Sequence, residues 1–134
     1  MEIKQIGQEM TWSIRQRVLW PSKDIAYVQL EEDAQGVHYG VYLGEELVSV
    51  ISLFVEGEEA QFRKFATLEQ EQGKGYGSRL LAYILKELEH RGIKRVWCNA
   101  RQDKAPFYQR FGMIPTGQVF VKEDVSYVIM EKAL

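Results

Sequence analysis

Hydrophobic and polar residues change their period several times along this chain, and each change marks an element. Val37, Tyr39, Val41 and Leu43 alternate with their neighbours, as in a strand whose two faces differ. Gly44-Glu45-Glu46 is a turn, and Leu47 through Val55 is a nearly continuous β-branched and apolar strand. After a second acidic turn, Glu56-Gly57-Glu58-Glu59, residues 60–67 alternate loosely as a third strand. Short turns predict an antiparallel meander. From residue 75 the period becomes helical. Tyr76, Leu80, Leu81, Ile84, Leu85 and Leu88 share one face, with Arg79, Lys86, Glu87 and His90 on the other. Gly92 ends that helix, and Lys94–Cys98 is the next strand. Strand, helix, strand over 60–98 is the crossover that sets neighbouring strands parallel.

The flanks are less regular. Residues 2–6 form a weak strand. Thr11 is placed to cap a helix through Trp12, Ile14, Val18 and Leu19, which Pro21 stops. Residues 22–35 are polar and acidic, a loop with a short helical turn. A short helix near 104–111 stops at Gly112, and strands at about 114–121 and 125–132 close the chain as a hairpin. The expectation is an α/β (α+β) fold: a mixed, mostly antiparallel sheet of about six or seven strands flanked by helices.

Composition narrows the class. The 134 residues suit one domain, and 46% hydrophobic with 27% charged residues is ordinary globular usage. A net charge of −2 and a pI near 5.8 argue against nucleic acid as a partner. One cysteine, Cys98, excludes an internal disulfide framework. His38 and His90 are the only histidines, and no metal is expected. No apolar run approaches the ~20 residues of a membrane span, and residues 1–5 lack a signal-peptide core. The expectation is a soluble, cytoplasmic protein without a membrane partner. A homodimer is compatible with it.

The candidate chemistry sits in Gln72-Gly73-Lys74-Gly75-Tyr76-Gly77-Ser78, between a strand and the long helix. Alternating glycines let backbone approach a ligand closely, and the helix start offers unpaired N–H groups and a positive dipole end. Together they suit phosphate. A Walker loop is absent, and the dinucleotide spacing Gly-x-Gly-x-x-Gly is not met. What fits is Q/R-x-x-G-x-G/A, through Gln72, Gly75 and Gly77.

With these residues the chain resembles the GNAT superfamily of acyl-CoA-dependent N-acetyltransferases. Phe62-Arg63-Lys64-Phe65-Ala66-Thr67 is similar to that family's fourth strand. Asn99-Ala100-Arg101 and Ala105-Pro106-Phe107-Tyr108-Gln109-Arg110-Phe111-Gly112 are similar to its next strand and its aromatic helix. The resemblance spans about residues 36–132. It implies acetyl-CoA as co-substrate, with loop amides from Gly73, Lys74, Gly75, Tyr76, Gly77 and Ser78 on the pyrophosphate. It also implies pantetheine paired along Phe65, Ala66 and Thr67, with Asn99 and Tyr108 at its end. Lys74, Arg79, Arg101 and Lys104 are candidates for the remaining phosphate. Two departures stand out: Met113 where the family often has phenylalanine, and Tyr127 where a close subgroup has histidine.

The expected reaction moves acetyl to a primary amine on a small molecule or peptide by direct attack. Tyr108 is the acid for the leaving thiolate, because a phenol near ~10 and a thiol near ~8.5 are not badly mismatched. A backbone N–H near Phe65 or Ala66 serves the oxyanion. The base is open among Glu58, Glu59 or Glu32 through water, or bulk solvent. Cys98 is expected to be a buried strand residue rather than a nucleophile. His38 is expected at a surface or cleft, and Glu31-Glu32-Asp33 as a solvated turn. The alternative is a catalytically weak acyl-CoA-binding or regulatory module; a structural domain with an empty loop is a third reading.

Overall fold

Strands β2 (Val37–Leu43) and β3 (Glu46–Glu56) fold back on each other across the two-residue turn Gly44–Glu45, where Gly44 takes φ +63°. In the computed structural model, which describes residues 1–134, β1 (Glu2–Ile6) pairs antiparallel with β2, and β4 (Glu59–Thr67) follows β3 across a second glycine turn. The remaining strands are β5 (Arg95–Arg101), β6 (Ile114–Lys122) and β7 (Val125–Ala133). Seven strands form one mixed sheet in the order β1-β2-β3-β4-β5-β7-β6, with β4 and β5 parallel over Glu59–Gln61 and Arg95–Trp97. The expected mixed sheet is borne out at seven strands.

Contacts divide the chain into two compact units. The first comprises Met1–Phe54 and Phe62–Ile84. Its central strands β2 and β3 are buried on both faces: His38 through Val41 and Val48 through Leu53 are all buried. Helix α2 (Tyr76–His90) contributes Leu80, Leu81 and Ile84 to this core, each with no exposed surface. The N-terminal helix departs from expectation. A 3-10 turn at Gln8–Thr11, α1 (Trp12–Ile14) and a π turn at Arg15–Leu19 run in sequence. Thr11 caps nothing: its hydroxyl donates back to Gln8 O at 2.7 Å. Residues 22–35 hold two 3-10 turns, Ile25–Val28 and Glu31–Gln35, the first capped by Asp24 accepting from Tyr27 N–H.

The second unit comprises Val55–Gln61 and Leu85–Leu134. The end of α2 is a Schellman stop: Gly92, at φ +76°, donates to Glu89 O, and buried Ile93 donates to Leu88 O. Leu85, Leu88, Val96, Cys98, Ala100, Val128 and Met130 form its core, and Met113 is buried with them. A short helix α3 (Ala105–Gln109) precedes the β6–β7 hairpin. Glu123 and Asp124 both take positive φ at that hairpin's tip, the backbone of a two-residue I′ turn that follows strand twist.

Candidate functional site

Gly75 is the residue on which the loop turns into a helix. Its carbonyl accepts the Arg79 N–H at 3.0 Å, so it caps α2 without a side chain. Tyr76, Gly77 and Ser78 then occupy the first helical positions, whose amides have no carbonyl one turn back. Gly73 and Gly75 stand at φ +77° and +89°, and a Cβ on either would meet nothing within 4 Å. Left-handed backbone, open space and a helix start make a cradle that fits a phosphate group. Gly77 serves otherwise. Its Cβ position lies 3.2 Å from Thr67 Oγ1 and 3.3 Å from Phe65 Cζ, so the missing side chain lets α2 close on β4.

The strand beneath is unusual two residues earlier. Lys64 holds φ +56° inside β4, a conformation that side chains disfavour and that surrounding structure must impose. Ala66 is buried, while Phe65 and Thr67 are partly exposed. Gln72 does not turn into the loop: its Nε2 donates to Thr67 O at 2.8 Å. Lys74 is also engaged, with Nζ 3.0 Å from Glu71 Oε1.

In the second unit, Tyr108 lies on α3 with its ring edge-on to Phe107 at 5.3 Å. Burial pushes its phenol above the ordinary range; a charge on Cys98 would add to this and Arg101 opposes it. Cys98 is 2% exposed, and burial pushes its thiol up to about 12. A thiol held so firmly is no nucleophile at neutral pH. Asn99 is exposed on β5, on the face opposite Cys98 and Ala100 by strand alternation. The structure therefore sets Tyr108 beside Cys98 and leaves Asn99 on the other face.

One acidic expectation is corrected in the first unit, while Glu31 and Glu32 stay exposed as expected. Asp33 is 2% exposed rather than solvated. It receives Arg15 Nη1 and Nη2 at 2.8 Å each, Leu30 N–H at 3.0 Å and Trp12 Nε1 at 3.2 Å. Burial acts to raise its pKa, but the Arg15 hydrogen bonds, the Leu30 amide, the Arg15 charge and Trp12 outweigh it, and the pKa is lowered. Glu32 is tied to Arg63 at 3.2 Å.

His38 is likewise buried, not at a surface: β2 is covered on both faces, so its polar alternation points into the protein. Its Nε2 lies 2.9 Å from Asp33 O, which only accepts, so Nε2 carries the proton. Its Nδ1 is 2.7 Å from Ser52 Oγ, which in turn accepts from Arg15 Nη2 at 2.9 Å. Sequence reasoning missed this network. The only signal was an arginine among apolar residues of a helical segment, which by itself marks a surface.

The family model described as an acetyltransferase (GNAT) domain matches residues 16–134. The chain belongs to the GNAT acetyltransferase family. It is 32% identical to the uncharacterized N-acetyltransferase YitI of Bacillus subtilis (strain 168), over 100% of this chain and 97% of that protein. A solved structure from Lactobacillus plantarum superposes with TM-score 0.86 at 19% identity, covering 100% of this chain and 99% of that one. A Bacillus subtilis acetyltransferase solved with CoA gives TM-score 0.77 at 18% identity, covering 99% and 98%. The chain is thus an acyltransferase of GNAT fold. Of the two departures from the GNAT pattern, Met113 simply fills the core at 1% exposure. Tyr127 stacks on Phe120, with ring centroids 5.0 Å apart and planes 10° apart. No helix is long and apolar enough to cross a membrane.

Proposed function

We propose that this chain moves an acetyl group from acetyl-CoA to a primary amine by direct attack in a ternary complex. The observation that carries the reading is the pair of left-handed glycines, Gly73 and Gly75, opening space before a helix start that no side chain caps at Gly75. A GNAT neighbour solved with CoA supports the same donor. Acetyl-CoA supplies the activated thioester when bound; the residues bind, orient and move protons. Amides of residues 73–78 hold the pyrophosphate, and Phe65, Ala66 and Thr67 offer the strand edge to pantetheine. Leu68 N–H reaches Val48 O, and Ala66 O accepts from Ser49, both on β3. Alternation then turns the Phe65 amide away from β3, which favours it as the oxyanion donor.

The amine nitrogen forms the new C–N bond as the C–S bond breaks, and the sulfur leaves with the electron pair. Tyr108 gives its phenolic proton to that sulfur and recovers one from solvent. Its raised pKa modifies the simple match expected from the sequence. A CoA thiolate leaving into the same buried surroundings would be desolvated as well, which raises its affinity for that proton. Among the candidate bases, Glu59 lies on Arg95 at 3.2 Å and Glu32 on Arg63. That leaves Glu58, through water, or bulk solvent to take the amine proton. An acceptor screen with acetyl-CoA, read by thiol release and mass shift, tests the reading; no product with any amine would sink it.

A weaker, regulatory acyl-CoA-binding role is favoured by one observation. Tyr127 stands in place of a histidine and its ring is engaged by Phe120. CoA-dependent thermal stabilisation without thiol release would establish that role instead. A homodimer is proposed through β6, an edge strand with no charge from Ile114 to Val121 and with Val119 and Val121 63% and 67% exposed. The opposite edge, β1, carries Glu2 and Lys4. Sedimentation should show a dimer that Val121→Lys disperses; a monomeric wild type would refute it.

A further inference from the structure

Ser49 lies on β3, outside the glycine loop, with no exposed surface. Its Oγ is 2.8 Å from Thr67 Oγ1 and 3.2 Å from Ala66 O. A carbonyl only accepts, so the Ser49 proton goes to Ala66 O, and the Thr67 hydroxyl must donate to Ser49 Oγ. With its proton committed to β3, the Thr67 oxygen presents only lone pairs elsewhere. It does so against the first turn of α2, 3.2 Å from where a Cβ on Gly77 would stand. The same residue is held at its carbonyl by Gln72, and the next residue by the Leu68–Val48 backbone bond of 2.9 Å. Thr67 is the point where β3, the end of β4 and the loop are bonded together, with the start of α2 packed against it.

We propose that Ser49 is a positioning residue for acetyl-CoA: acting through Thr67, it sets the end of β4 and the glycine loop in register without touching the cofactor. The inference rests on the acetyl-CoA reading above. Three observations favour it over a merely satisfied buried hydroxyl. Ser49 bonds two residues of the strand segment assigned to pantetheine, one of its bonds fixes a rotor, and that rotor abuts the helix start assigned to pyrophosphate.

Calorimetric titration with CoA tests it on Ser49→Ala, Thr67→Val, the double variant, Thr67→Ser and Gly75→Val, each beside its melting curve. Ser49→Ala should weaken CoA binding about three- to tenfold, the scale of one lost hydrogen bond. Thr67→Val should do the same, and the double variant should be no weaker than Thr67→Val alone, because both break one chain. Thr67→Ser retains the hydroxyl and should bind CoA more tightly than Thr67→Val does. A folded Ser49→Ala with unchanged CoA affinity would overturn the proposal. So would losses that multiply in the double variant. If Ser49→Ala fails to fold, Thr67→Val and Thr67→Ser decide: equal affinity in both removes the hydroxyl chain from binding. Failure of the underlying reading looks different, since the wild type would then bind no CoA or Gly75→Val would bind it equally.

Discussion

Arg15 and Asp33 meet as a two-bond fork, 2.8 Å at each bond, with the arginine fully buried and the aspartate 2% exposed. Arg15 also donates to Val28 O and Ser52 Oγ, so one guanidinium joins the π turn, both 3-10 turns and β3. Its Nε has no hydrogen-bond partner, so the Asp33 fork with the Val28 and Ser52 bonds compensates the buried charge.

Removing one partner should therefore cost more than the pair contributes. Asp33→Asn leaves a buried guanidinium uncompensated and is expected to cost about 3–5 kcal/mol. Melting should fall by on the order of 10 °C. Because the folded pKa of Asp33 is lowered, its stabilisation is fully present above the usual value of 3.8 and is lost as pH falls through the folded value. The stability gap between wild type and Asp33→Asn should hold from neutrality down to about pH 4 and narrow below it. A gap that instead widened in acid would contradict the sign.

Gly75→Val should abolish CoA binding while the protein stays folded. The site is open, so valine meets no neighbour; it would fill the anion's space and resist φ +89°. Calorimetry decides it, and unchanged CoA affinity in a folded variant would remove the loop from the site.

Cys98→Ala should retain most acetyl transfer, with no acetyl-enzyme burst on rapid mixing, since its thiol is held protonated by burial. Complete loss of turnover with intact folding and CoA affinity would revive a covalent route.

Tyr108→Phe separates a proton donor from a packing ring by one hydroxyl. Turnover should fall by roughly ten- to a thousand-fold while CoA affinity and Tm barely move. Wild-type single-turnover rates in Tyr108→Phe would take the hydroxyl out of the chemistry. Tyr108→Ala, which also empties the ring's place beside Phe107, should melt earlier.

Local pattern was enough for the elements that bury one face or demand a special φ. The 3.6-residue stripe Leu80, Leu81, Ile84, Leu85, Leu88 set α2, and Gly92 ended it, because a helix core and a left-handed stop are encoded within a few residues. The glycines of the loop were legible for the same reason: backbone that must turn left-handed before a helix leaves its mark in composition. Folding alone decided what depends on partners distant in sequence. His38 looked like a surface position until burial of both faces of β2 placed it against Ser52. Asp33 looked like one more solvated acid until Arg15, 18 residues earlier, claimed it. Gln72 was legible as the first position of the loop motif, but not the bond from its amide to Thr67 O. A charge or an amide has the same letter whether it faces water, a ligand or another side chain. Only the packed structure supplies the desolvation and the partner that tell these apart.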